Sequence, residues 1–191
     1  MNVAVAFLII GLGNPGPKYA HTRHNAGFMA ADELAKRYGI SFSRAGSLYE
    51  CGKGLIEGRP AIIIKPQTFM NLSGQAVLSA LSKYRVEPSR ILVLVDDCRI
   101  PLGKIRLRPS GGSGGHNGLT NIIQVLGTSD FARIRLGLGE PPQGDPIDFV
   151  LGNFPEAEWP AVKEMTALAA DCAVSFITEG AERAMSSFNG R

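Results

Sequence analysis

Of the three histidines in the chain, His21, His24 and His116, two fall within the stretch His21-Thr22-Arg23-His24-Asn25-Ala26-Gly27. His24 stands where an apolar opening segment and a glycine-proline turn give way to a helical pattern. An imidazole there can act as a base near neutral pH, since its unperturbed pKa is about 6.5. The start of a helix favours its neutral form. A working base also needs an acid to orient it, polar groups to hold a carbonyl, and room for a substrate.

Asp96 and Asp97 can supply the acid. They end the apolar run Ile91–Val95, and the carboxyl ends of strands are where open α/β sheets place ligands. The apolar run Val5–Ile10 ends just before Asn14, so if the two strands are neighbours, an aspartate meets the loop of Asn14 and the segment of His24. A carboxylate bonded to one imidazole nitrogen fixes the tautomer, leaves the other nitrogen as acceptor and stabilises the cation formed on proton transfer. Asn14, Asn71 and Asn117 lie in loops at similar strand ends. Helix capping is one use for them. The other is chemical, because an amide both donates to a carbonyl oxygen and accepts from an N–H, as a site reading a peptide bond requires. Phe69 and Met70 beside Asn71 serve either as an apolar wall or as core.

Lys104, Arg106 and Arg108 share one face of an alternating segment, about 6.6–7 Å apart, close to the spacing of successive phosphates. Arg133 and Arg135 repeat the pattern, and the glycine-rich loop Gly111–Gly115 lies between the two segments. A charge-protected edge strand is the plainer reading; a polyanion site is the functional one.

Two other motifs are weaker. Gly11-x-Gly13-x-x-Gly16 has the dinucleotide-binding spacing, but Pro15 and Pro17 bracket the third glycine where that fold needs a helix. Gly111-Gly112-Ser113-Gly114-Gly115 matches a nucleophile elbow, and His24, Asp96 and Ser113 would make a triad in another order. Five small residues give a pliable loop more readily than a strained elbow. A serine hydrolase is therefore the second reading, and an RNA-binding protein without catalysis a third.

The elements that must position these residues follow from the apolar periodicity. Strands are expected at Val5–Ile10, Leu48–Ile56, Ala61–Lys65, Ile91–Val95, Lys104–Arg108 and Arg133–Leu138. Helices are expected at Asn25–Tyr38, Gln75–Tyr84, Leu119–Leu126 and Pro155–Gly180, followed by a short tail helix. Strands interleaved with helices make an α/β sandwich, and the hairpin around Glu57-Gly58-Arg59-Pro60 makes its sheet mixed. The 191 residues suit one domain, 1–191, with 45% hydrophobic and 19% charged residues. A net charge of +3 permits a polyanionic partner without demanding one. Three separated cysteines without a C-x-x-C fit a reduced cytoplasmic setting and give no zinc pattern. The opening Met1–Ile10 lacks a basic leader, and no apolar run reaches membrane-spanning length.

At these residues the chain resembles the bacterial-type peptidyl-tRNA hydrolase family. The resemblance rests on GLGNPGPKYAHTRHNAG (Gly11–Gly27), KPQTFMNLSG (Lys65–Gly74), GGSGGHNGL (Gly111–Leu119) and FARIRLGLG (Phe131–Gly139), which occur in the family's order. It implies a monomeric cytoplasmic esterase of one α/β domain with a twisted mixed sheet, using neither metal nor cofactor. Such an enzyme cleaves the ester between a peptide and the 3′ end of tRNA. By matching positions, His24 activates water, Asp96 orients it and Asn14 senses the blocked amino group. Tyr19, Phe69, Asn71 and Asn117, with Met70 beside them, would contact the peptide and terminal adenosine. Arg108 and Arg135 would hold phosphate of the acceptor stem, the 5′ phosphate included. The family usually carries Leu-Asp after the paired acids, where this chain has Cys98-Arg99.

Overall fold

A computed structural model describes residues 6–141 and 145–190. The expected first strand therefore begins at Phe7 among the described residues; Val5 and residues 142–144 of the loop Glu140–Pro146 lie outside them. Seven strands form one mixed sheet: β1 (Phe7–Gly11), β2 (Ser43–Arg44), β3 (Tyr49–Ile56), β4 (Arg59–Pro66), β5 (Ile91–Asp97), β6 (Ile105–Arg108) and β7 (Ala132–Gly137), in the order β2-β3-β4-β1-β5-β7-β6. β4, β1, β5 and β7 run parallel, while the hairpin β3–β4 and the pair β6–β7 are antiparallel. The helices are α1 (Ala26–Arg37), α2 (Ser73–Tyr84), α3 (Asn117–Leu126), α4 (Pro146–Leu151), α5 (Trp159–Glu179) and α6 (Ala181–Phe188). The sequence did not announce the two-residue β2 or α4.

The central strands β1 and β5 are buried on both faces, as their unbroken apolar runs require. Alternate residues divide between two cores. Ile9, Leu92, Leu94 and Ile134 pack with α1 and α5, whereas Leu8, Ile10, Val93 and Val95 pack with α2 and α3. The neighbouring of β1 and β5, on which a meeting of His24 and Asp96 depends, is present, with Gly11 opposite Leu94.

Two glycines set how closely the His24 segment approaches that pair. A methyl group on Gly27 would lie 2.3 Å from the Leu94 carbonyl oxygen and 2.6 Å from the Leu12 backbone nitrogen. One on Gly11 would lie 2.5 Å from the Gly27 carbonyl oxygen. Only hydrogen fits at either place, so the first turn of α1 rests directly on the strand ends. His24 is carried just before it, in a single 3-10 turn, Arg23–Asn25. That turn is held from the other side too. The Arg23 guanidinium pairs with Glu158 at 2.9 Å and stacks 4.5 Å from the Phe149 ring, tying the His24 segment to α4 and the chain beyond it.

Candidate active site

His24 and Asp96 meet as the sequence suggested. His24 Nδ1 lies 2.9 Å from Asp96 Oδ2 and 3.0 Å from Oδ1, and both residues are buried. A carboxylate only accepts at these pH values, so Nδ1 carries the proton and Nε2 is left with a lone pair. Burial by itself lowers the His24 pKa, but attraction to Asp96 and the hydrogen bond to it outweigh burial and leave it above 6.5. The neutralising influence expected of a helix start is thus overridden by the carboxylate. Asp96 is held well below the usual carboxylate range: burial raises it, and the electrostatic pull and hydrogen bonds of the His116 and His24 ring N–H groups more than reverse that.

His116 is the functional residue that sequence reasoning passed over. Its Nε2 is 3.0 Å from Asp96 Oδ1, and its ring lies 4.9 Å from that of His24, centroid to centroid. It is also the N-cap of α3, with Nδ1 accepting from the Leu119 backbone N–H at 3.2 Å. That bond fixes the tautomer, since Nδ1 must be bare and Nε2 must donate to Asp96. The three side chains His24, Asp96 and His116 are close enough to hold a metal ion. A neutral histidine ligating through Nε2 must instead carry its proton on Nδ1, where Leu119 N–H already points. The donor pattern fits a carboxylate bridging two imidazole N–H groups and does not fit a metal.

Asn14 is 6% exposed and fixed at three points. Its backbone N–H donates to Asn25 Oδ1 at 2.8 Å, its carbonyl accepts from Asn25 Nδ2 at 3.0 Å, and its Oδ1 accepts from Met70 N–H at 2.8 Å. Because a backbone N–H only donates, the amide orientation of Asn14 is determined, and Nδ2 is the atom left to meet a ligand. Asn25, unremarked in the sequence, locks Asn14 to the residue after His24. Met70 does not form an exposed wall. Its side chain is buried in the core, with its sulphur against Gly118, and its contribution to the site is the backbone N–H. Phe69, by contrast, is 57% exposed.

Neither Asn71 nor Asn117 caps a helix. Asn71 sits exposed in the 3-10 turn Met70–Leu72, and α2 is capped by Leu72 and α3 by His116. A cleft of about 390 Å³ has His24, Asp96, His116, Asn117 and Arg135 in its walls, along with Ile147 and Val150 of α4. Tyr19, half-buried under Lys18, lies outside that lining, as do Asn14, Phe69 and Asn71.

Lys104 lies just before β6, and the four arginines divide. Arg106 and Arg108 are exposed on β6, opposite Arg135 and Arg133 on β7. Arg135 donates to Asp97 Oδ2 at 2.8 Å and to Gly112 O at 2.9 Å. Arg133 is a correction to the phosphate reading: at 0% exposure it donates to the carbonyls of Gly111, Phe131 and Ser129, and burial pushes its pKa down to about 10. It staples the glycine loop to β7. Replacing Arg133 by Met is expected to cost about 2–4 kcal/mol by stranding buried carbonyls, read as a lowered midpoint in urea denaturation; an unchanged midpoint would refute the staple. Ser113 Oγ accepts from Gly115 N–H and bonds neither His24 nor Asp96, so the serine triad is not assembled. Gly16 leads into a 3-10 turn, Pro17–Tyr19, and not into a dinucleotide-binding helix.

An open α/β sheet with a histidine–carboxylate base at its strand ends and an arginine-lined surface beside it has the form of a hydrolase for an anionic substrate. Comparison with known proteins agrees. The chain matches the family described as peptidyl-tRNA hydrolase over residues 8–191. It is 46% identical to the peptidyl-tRNA hydrolase of Alkaliphilus oremlandii (strain OhILAs) over 183 residues, covering 96% of this chain and 99% of the relative. It is 48% identical to that of Citrifermentans bemidjiense over 186 residues, covering 97% and 99%. Among solved structures, peptidyl-tRNA hydrolase from Acinetobacter baumannii superposes with a TM-score of 0.90 at 36% identity, covering 100% of this chain and 97% of that one. The chain belongs to the peptidyl-tRNA hydrolase family.

Proposed function

We propose that this protein hydrolyses the ester joining a peptide, or an N-blocked amino acid, to the 3′ end of tRNA, using a water activated by His24 and no metal. The observation that carries the reading is the bond from His24 Nδ1 to Asp96, which leaves Nε2 as a base in the wall of the cleft. Nε2 takes a proton as the water oxygen attacks the ester carbonyl carbon. The negative charge that develops on the carbonyl oxygen is met by amide donors, with Asn117 in the same cleft. Collapse of the tetrahedral intermediate breaks the bond to the ribose oxygen, which receives the proton from His24. The products are a free carboxylic acid and a tRNA with its terminal hydroxyl restored.

Asn14 suits the selection of blocked substrates. With Oδ1 held by Met70, its Nδ2 donates, so it pairs with the acyl carbonyl of a blocked amino group. A free ammonium offers only donors there and is disfavoured. Phe69, Asn71 and Tyr19 extend this surface towards the peptide and the terminal adenosine. Arg108, with Arg135, would hold phosphate of the acceptor stem. The enzyme works as a cytoplasmic monomer of one domain; no helix among the described residues is long and apolar enough to cross a membrane.

The direct test is turnover of purified protein on N-acetyl-aminoacyl-tRNA against unblocked aminoacyl-tRNA. Cleavage of the first and sparing of the second is expected, and equal rates would remove Asn14 from its role. For the phosphate contact, Arg108→Ala should weaken tRNA binding and make the slope of log affinity against log salt shallower by about one. A slope that does not move would place Arg108 outside the interface.

A further inference from the structure

Arg99, like Arg135, belongs to two clefts at once. It lines the His24 cleft, and it also lines a neighbouring cleft of about 310 Å³ formed with Asp97, Ile100, Arg106, Arg108 and Arg135. Four arginines against one aspartate make that second cleft strongly cationic. Asp97 holds two of them apart on its two oxygens. Its Oδ1 accepts from Arg99 N at 2.9 Å and faces Arg99 Nε at 3.3 Å, while its Oδ2 accepts from Arg135 Nη1 at 2.8 Å. Burial pushes Asp97 up, but the Arg99 and Arg135 contacts hold it below its ordinary value, so it stays an anion between them.

The two guanidinium groups are not equally occupied. Arg135 uses Nη1 on Asp97 and Nη2 on Gly112 O. Arg99 uses only its inner edge, and its side chain is 65% exposed, with Nη1 and Nη2 unpartnered among the described residues. Both groups rest on Gly114, where a methyl would lie 2.1 Å from Arg99 Nη2 and 3.0 Å from Arg135 Nη1. With no side chain on Gly114, nothing at that point of the loop covers Arg99 where it lines both clefts. Aspartate fixes the stem, and a two-pronged donor points outward, the geometry by which guanidinium holds phosphate.

We propose that Arg99 binds the phosphodiester adjacent to the reacting 3′ nucleotide, linking the chemistry at His24 to the RNA backbone at Arg106 and Arg108. This rests on the esterase reading above. The part of such a substrate that must pass from one cleft to the other is its 3′ strand, which carries one negative charge per linkage. A peptide carboxylate is the competing anion, and it would be felt through peptide sequence and not through RNA length.

The test compares the wild type, Arg99→Gln and Arg99→Lys on two N-acetyl-aminoacyl esters. One is carried on the trinucleotide CCA, which has phosphodiesters, and the other on adenosine alone, which has none. Arg99→Gln is expected to reduce the preference for the trinucleotide ester, as a ratio of kcat/KM values, about tenfold, the loss falling in KM. Arg99→Lys should recover part of it, since charge returns without the fork. Binding of deacylated tRNA should show a salt slope shallower by about one in Arg99→Gln. Equal loss on both esters would make Arg99 a support for Asp97 only and overturn the proposal. An unchanged ratio, or a loss that tracks acidic residues in the peptide, would overturn it as well. Should the wild type cleave no blocked ester, the esterase reading falls, and the salt slopes on deacylated tRNA still decide Arg99 by themselves.

Discussion

Replacing His24 by alanine is expected to lower turnover of N-acetyl-aminoacyl-tRNA by about 10²–10⁴-fold, the range for loss of a positioned base, while tRNA affinity stays within about twofold. The two effects separate because the proposed base, His24, lines one cleft and the exposed cations Arg106 and Arg108 line another. The variant should fold, since His24 occupies a short turn held independently by Arg23, with its bonds to Glu158 and the Asn153 carbonyl. Single-turnover kinetics beside a tRNA titration check both arms. Near-normal turnover would take the base away from His24, and Ser113→Ala would be the next variant to measure. If Ser113 were the nucleophile, a fluorophosphonate would label it; no label is expected.

The pairing of His24 with Asp96 was legible because each residue ends or follows a strongly patterned element. Unbroken apolar runs mark β1 and β5 as central strands, and central parallel strands deliver their carboxyl ends to one rim of the sheet. Nothing comparable marked His116. It sits 20 positions beyond Asp96, past a glycine loop whose path the sequence does not constrain. A helix-start signal was present in Gly-Gly-His-Asn-Gly, but the eye gives the cap to asparagine, and here histidine takes it. Arg133 failed for a different reason. Alternation on a strand tells which residues share a face, not how deep each lies. β7 is flanked by β5 and β6, and the glycine loop closes over Arg133 while Arg135, two residues on, reaches the rim. Met70 shows the same limit: an apolar side chain beside a polar loop is equally good as wall or as core, and the sulphur contact with Gly118 decides it.

Replacing Asp96 by asparagine is expected to be nearly as damaging as losing His24, and in a way that pH exposes. Two imidazole N–H groups converge on this carboxylate, from His24 Nδ1 and His116 Nε2. An amide supplies one oxygen and one NH₂, so a donor must then face a donor. His116 cannot yield, because Leu119 N–H already fills its Nδ1. His24 can yield by moving its proton to Nε2, which removes the lone pair that activates water. A loss of about 10²–10⁴-fold in kcat/KM is expected on that ground. The pH dependence has a definite sign. In the wild type Asp96 raises the His24 pKa above 6.5, so the acid limb of kcat/KM lies above 6.5 and activity falls as pH drops through it. In Asp96→Asn only the effect of burial remains, which lowers that pKa, and the limb of the residual activity moves below 6.5. Stability moves oppositely. The raised His24 pKa means that this ion pair contributes fully below 6.5 and its share fades as pH rises through the folded-state value. The depressed Asp96 pKa means that the same pair is lost again as pH falls from about 3.8 through the folded-state value. Urea denaturation across pH should therefore show a wild-type decline above 6.5 that Asp96→Asn lacks, and parallel curves for the two proteins would mean that the pair is not charged in the folded enzyme.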